Sequence, residues 1–264
     1  HSGTNQNANT GFVNDGIITT AGSNNIGWIS LNEGGNTARQ LYFHNRAGSM
    51  NFGGTRDILA YVMSPTAANG GWSFINDGTI NLTGASQFGV VVSPTYSYNS
   101  AEILLNRPIT ISGTGTTGVV FSGWMDLDGG APFSRSTADN IVTTLPVTSR
   151  ASVINVDMTA DSNGATGIYF GNAGTNPFNL NNYTLNINGN NNTGVYIANG
   201  IVNLGTGAIY IGGSGNIGIF AAAAGDALST AANIAVNANS SSGIFAKNAG
   251  AVTNTGNISV TGAS

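Results

Sequence analysis

The sequence predicts an all-β chain folded as a right-handed parallel β-helix of about eight to nine coils, with loop insertions in its N-terminal half. Three observations carry this. A segment pattern recurs along the chain, each period holds three short apolar runs, and charge is nearly absent. The pattern is clearest in Asn182 to Ile197, NYTLNINGNNNTGVYI, where an aliphatic pair two residues apart is followed by a polar Gly/Asn/Thr run and then Gly with two or three apolar residues. The first aliphatic residue stands nine before the anchoring glycine in Ile18 to Gly27, Ile80 to Gly89, Ile109 to Gly118, Leu185 to Gly194, Ile209 to Gly218 and Ile234 to Gly243. Met50 to Leu59 keeps the spacing with Leu at the anchor, Val156 to Gly167 is two residues longer, and Ile258 to Gly262 opens one further copy. The anchors at 27, 59, 89, 118, 167, 194, 218 and 243 give steps of 32, 30, 29, 49, 27, 24 and 25. Periods of this size mark solenoids or arrays.

Each period is strand and turn in character. Its apolar runs are short, rich in Val, Ile, Phe and Tyr, and bounded by Gly/Asn clusters. No helical periodicity competes with them apart from the Ala-rich Ala221 to Ala224. A third run lies between one anchor and the next copy: Phe12-Val13-Asn14, Phe74-Ile75-Asn76, Leu104-Leu105-Asn106, Phe178-Asn179-Leu180, Ile201-Val202-Asn203 and Val252-Thr253-Asn254. Three strands per coil, stacked at roughly 4.8 Å, make a parallel β-helix. Its inward positions, such as Leu204, Ile209, Ile211 and Ile219, have to pile up in columns, since one coil alone cannot bury them. The pattern places Ile18, Ile80, Ile109, Leu185, Ile209, Ile234 and Ile258 in one such column. The recurring asparagines before turns suit left-handed backbone and stacking on the amide of the next coil.

The whole of 1–264 reads as one domain, in which 1–150 are loop-decorated coils and 151–264 plain ones. The extra length of the first part follows the anchored strand, at Leu31 to Gln40, Ser64 to Gly71, Ser93 to Ala101 and Ser122 to Arg150. Six of the seven basic residues and all three Trp fall at or before Arg150, so the binding chemistry is expected there. Because Ile258 to Ser264 begins a coil without finishing it, and the chain opens on His1-Ser2, the natural protein is expected to be longer.

Composition narrows the function. Hydrophobic residues make up 41% of the chain and Gly accounts for 39 positions, while only 7% are charged, against about a quarter in ordinary proteins. The apolar residues are periodic and the net charge is only −4, which argues against disorder. A pI near 4.8 gives no electrostatic footprint for nucleic acid. Without cysteine there is no disulfide, thiol nucleophile or thiolate metal site. No metal site and no cofactor are expected. The acids are scattered, the one close pair being Asp126 and Asp128 in DLDGG, which reads as an acidic turn because it lacks the further spaced oxygens of a calcium loop. His44, the one internal histidine, stands beside a strand in LYFHN without a serine-nucleophile motif and reads as a hydrogen-bonded or solvated residue. The Gly-rich run Gly207 to Gly218 is followed by no helix, so it is not a phosphate loop. Asn-x-Ser/Thr triplets at Asn81, Asn182, Asn191, Asn239 and Asn257 follow from an Asn/Thr-rich composition.

The repeats in Asn254 to Gly262, Asn233 to Ala246 and Gly207 to Ala221, of the form NTGNISVTG with GIFA or GVYI, resemble the passenger region of large type V (autotransporter) adhesins of Gram-negative bacteria, most like the fusobacterial type. The resemblance implies a β-helical stalk, exported through a C-terminal outer-membrane barrel of the parent chain and exposed at the cell surface or released. It further implies adhesion to a protein or glycan on a host or bacterial cell. Some passengers of this type are serine proteases, and here the scattered acids, the missing nucleophile motif and the lone internal His44 speak against an enzyme. Within that reading the longest insertion supplies Trp124, Asp126, Asp128, Phe133 and Arg135, and the coil before it Tyr96 and Tyr98, as a binding ridge. Aromatic residues and Arg are the usual anchors of interfaces. A stalk that only spaces a distal domain is the alternative, and a polysaccharide-active β-helix enzyme the remoter one.

Overall fold

The computed structural model describes residues 10–31, 40–63, 71–93, 100–121, 153–171, 178–222 and 227–262, and all of its elements there are strands. They form a parallel β-helix with three walls. Nine strands stack in the first wall: Ile17–Thr20, Ser49–Phe52, Thr79–Leu82, Ile109–Ile111, Ile154–Met158, Tyr183–Ile187, Gly207–Ile211, Asn233–Val236 and Ile258–Val260. Eight make the second: Ile26–Leu31, Ile58–Met63, Phe88–Ser93, Thr117–Phe121, Thr166–Phe170, Thr193–Ile197, Ile217–Ala221 and Ser242–Ala246. The third wall is two separate sheets of four, Thr10–Asn14, Gln40–Asn45, Gly71–Asn76 and Ser100–Leu105, then Phe178–Leu180, Ile201–Leu204, Ala227–Thr230 and Ala251–Asn254.

The expected aliphatic column forms in register. Ile18, Met50, Ile80, Ile109, Val156, Leu185, Ile209, Ile234 and Ile258 stand opposite one another from strand to strand, so the two irregular copies fill their places. All but the two end members are buried. Each buried side chain of this size contributes about 1.5 to 3 kcal/mol, so the stacking of coils is the main source of stability. The second wall lines the same core with Ala60, Val90, Val119, Ile168, Val195 and Ile219.

The corner between these two walls repeats in every coil. Three residues before each anchor the backbone is left-handed: Asn24, Arg56, Ser86, Gly115, Gly164, Asn191, Gly215 and Ser240 all have φ between 53° and 68°. One residue further on, a polar side chain turns inward. Asp57 accepts from the backbone and side-chain nitrogens of Asn25 at 2.9 and 3.0 Å and from Thr20 Oγ1 at 2.6 Å. Gln87 donates to the Phe52 and Gly54 carbonyls, Thr116 to Gly84, and Asn192 to Asn188 and Ser162. Gln87, Thr116 and Asn192 close the corner by satisfying carbonyls that the strand ladders leave over, and Asp57 does so by accepting from the N–H and hydroxyl donors of the coil before it. The stretched copy has Ala165 at this place, and Ser162 supplies the polar partner instead.

Anchoring glycines are required by close approach. A Cβ on Gly118 would lie 2.8 Å from the Gly167 carbonyl oxygen, and one on Gly167 would lie 2.7 Å from that of Gly194. At the Leu59 anchor the side chain is fully buried in the core.

Two expectations need correction. In the third wall Asn14, Asn45 and Asn76 form a buried amide ladder, Asn14 Nδ2 donating to Asn45 Oδ1 at 2.9 Å and Asn45 Nδ2 to Asn76 Oδ1 at 2.7 Å. Its next register position is Leu105, so Asn106 stands outside the ladder, and the Asn76 amide donates to the Arg107 carbonyl. These stacked asparagines sit in strands; among the left-handed ones, Asn24, Asn182 and Asn191, it is Asn191 that combines the two properties, donating to Asn163 Oδ1 at 3.2 Å. The second correction concerns the extra length of the first half. Leu31, Gln40, Ser93 and Ser100 belong to six-residue strands, so part of that length extends the walls.

Candidate functional site

The residues expected to form the binding ridge, Trp124, Asp126, Asp128, Phe133, Arg135, Tyr96 and Tyr98, lie outside the described residues. What the structure does bring together is a column on the outer face of the second wall. Two residues after each anchor the side chain turns away from the core, and there Ile29, Tyr61, Val91, Val120, Tyr169, Tyr196, Phe220 and Phe245 stand in register. All eight are apolar or aromatic where a strand with one wet face would carry polar residues. The signal was present in the sequence as a second apolar residue after each anchoring glycine, which breaks strict alternation.

The column has two parts. Tyr61, Val91 and Val120 are buried, and with Ile58 and Phe88 they form a small cluster distinct from the main core, flanked by Ile26 and Tyr169. The column is open to solvent at Ile29, 44% exposed, and again toward its other end, where Tyr169, Tyr196 and Phe220 are half-buried and Phe245 is 45% exposed. The rings stack along the axis, Tyr169 on Tyr196 at 5.4 Å and 17°, Tyr196 on Phe220 at 5.0 Å and 41°, and Phe220 on Phe245 at 5.4 Å and 5°. Parallel, in-register strands impose this spacing, because identical positions of successive coils sit one strand apart. The 41° step divides the ladder into two near-parallel pairs.

The surroundings are uncharged. No Asp, Glu, Lys or Arg occurs in Thr166–Phe170, Thr193–Ile197, Ile217–Ala221 or Ser242–Ala246, and the neighbouring outward column is Thr166, Thr193, Ile217 and Ser242. Lys247 and Asp161 lie just beyond these strands. Burial, and then the adjacent Tyr196, push the Tyr169 phenol above its ordinary value, so it stays a neutral hydroxyl at physiological pH.

Charge gathers instead on the corner after the third wall. Arg46 forms a fork-like pair with Asp15, and Asp77 accepts from Asn106 Nδ2 at 2.7 Å and lies 2.7 Å from His44 Nε2. The hydrogen bond from Asn106 and then that from His44 hold the Asp77 carboxyl below its usual range. His44 is therefore a hydrogen-bonded surface histidine, as its sequence context suggests. Among the described residues no three His, Cys, Asp or Glu side chains gather as a metal would require. No known protein family, curated protein or solved structure matches this chain.

Proposed function

We propose that the chain is a segment of a cell-surface adhesin, a β-helical passenger that meets a protein or glycan on another cell and performs no catalysis. The observation that carries this reading is the outer column of the second wall, apolar through eight consecutive coils and open to solvent at Tyr196, Phe220 and Phe245. A solenoid needs apolar residues on its inner face only, and an uncovered aromatic strip on the outer one is the mark of a contact surface. Export through an outer-membrane barrel and exposure at the cell surface belong to the same proposal and rest on the repeat motifs. The loop residues Trp124, Asp126, Asp128, Phe133 and Arg135, with Tyr96 and Tyr98, are assigned to a second contact zone on the strength of their chemistry.

A spacer role is favoured by one observation, the unbroken register of the first wall, which needs nothing beyond itself to be stable. Beads coated with the 264-residue protein, offered to epithelial cells and to mixed bacterial cells, separate the two. Saturable attachment that soluble protein competes away is the expected result. Attachment no greater than that of beads coated with a β-helix of unrelated surface leaves the spacer reading in its place.

A further inference from the structure

We propose that the open part of the ladder, Tyr196, Phe220 and Phe245 with Thr193 and Ser242 beside them, is a binding strip for an uncharged glycan chain. The inference deepens the adhesin reading and rests on it only in taking the ligand to be extracellular. Three features select this chemistry. The strip carries no ionic side chain, so it offers nothing to a polyanion, a polycation or a charged lipid surface. Aromatic area lies beside neutral hydroxyls in two of its three coils, Tyr196 with Thr193 and Phe245 with Ser242, while Ile217 flanks Phe220 between them. Sugars present the complementary mixture of C–H patches and hydroxyls, and side chains with an apolar body and a polar tip bind such surfaces at small entropic cost. The strip is also periodic, with ring centroids 5.0 to 5.4 Å apart, so a polymer of repeating units can make the same contact at successive coils. Repetition of a weak contact is how such a surface gains useful avidity.

The rival occupant is a second copy of the chain, packed strip to strip. It would need no hydroxyls in the strip, and its contacts would not follow the repeat of a polymer.

The test is isothermal titration of the intact 264-residue protein with cellohexaose, chitohexaose and maltohexaose, and with hexagalacturonate as the charged control. Binding of at least one neutral hexasaccharide is expected, together with at least about tenfold weaker binding of the charged one. Y196S/F220S should lose about tenfold or more in affinity, while Y196F, F220Y and the far-end I29S should stay within about twofold. Circular dichroism checks each variant. Should Y196S/F220S not fold, amide shifts of the unmodified protein decide instead, being expected within Thr193–Ile197, Ile217–Ala221 and Ser242–Ala246. No binding of any neutral hexasaccharide overturns the proposal, as does equal binding of hexagalacturonate, undiminished binding by folded Y196S/F220S, or shifts elsewhere. A dimer in sedimentation that Y196S/F220S abolishes assigns the strip to a second copy and overturns it too. Attachment of coated beads to cells that survives in Y196S/F220S would remove the glycan strip and leave the adhesin reading standing. Absence of attachment by the unmodified protein would remove the adhesin reading.

Discussion

Asn45 holds the middle of the buried amide ladder, accepting from Asn14 and donating to Asn76. Its replacement by Ala strands a donor on one side and an acceptor on the other, so Asn45→Ala should cost about 2 to 3 kcal/mol in urea unfolding. Ser86 tests the opposite sign. It holds a left-handed φ of 53° where the next two coils have Gly115 and Gly164. An L-residue there costs about 1 to 2 kcal/mol, and glycine gives back about 0.5 to 1 in chain entropy, so Ser86→Gly should gain up to about 1 kcal/mol. Asp77 sets a pH dependence. Its folded value lies below the ordinary 3.8, so the unfolded chain takes up its proton first as pH falls. Its contribution is therefore complete above that ordinary value and is lost as pH falls through the lower, folded one. Asp77→Asn should melt with a shallower loss over that acid window, and an unchanged acid profile would mean that exposure screens the interaction away.

At the scale of the strand and turn, the anchor glycines predict a graded series. Gly167→Ala drives a methyl to 2.7 Å from the Gly194 carbonyl oxygen, a backbone atom that cannot rotate aside, whereas the nearest atoms to a Cβ at Gly243 are 3.5 Å away. The first should cost about 2 to 3 kcal/mol and the second less than about 1, measured as a pair by chemical denaturation. Such a steric rule is why the walls were legible in the sequence: a glycine nine residues after an aliphatic one marks where backbones of successive coils nearly touch. The Ile18 to Ile258 column was legible for the same reason, as a fixed spacing from the anchor. The outer aromatic column was not, because two apolar residues in succession do not say which one faces inward. Nor was the inward column of Asp57, Gln87, Thr116, Asn192 and Asn216, since polar residues at a turn are ordinarily solvated. The long insertion keeps its own prediction. Replacing 126–148 by a short Gly/Ser turn should reduce cell attachment while leaving the β-sheet spectrum and the cooperative melt unchanged. Undiminished attachment would confine binding to the coils.

Over the whole molecule, each coil touches only the coils before and after it, so stability is a sum of neighbour terms. The end coils of the described stack have one neighbour each, and Ile258 and Val260, whose register partners Ile234 and Val236 are buried, are 47% and 67% exposed. Amide exchange should be fastest in Ile17–Thr20 and Ile258–Val260 and slowest in the strands between, around Ile109–Ile111 and Tyr183–Ile187. Uniform protection would mean that the coils unfold as one unit. With only 7% of its residues charged, the protein should change little in melting temperature with added salt.

The interruption of the third wall has a consequence of another kind. Where its first sheet ends, Val153 continues it alone, exchanging hydrogen bonds with the Ile103 and Leu105 backbone, and its second sheet resumes only at Phe178. Between those rungs the first and second walls still bridge the coils, but among the described residues the third adds no strand pair. Tension applied to the two ends of the stack is carried by every interface in series, and within an interface by its hydrogen bonds side by side. Among the described residues two interfaces have two walls instead of three, this one and that of the last coil, where only Ala251–Asn254 and Ile258–Val260 find partners. Extension under an optical trap should begin by peeling the last coil and continue with a step that separates the coils up to Phe170 from those that start at Phe178.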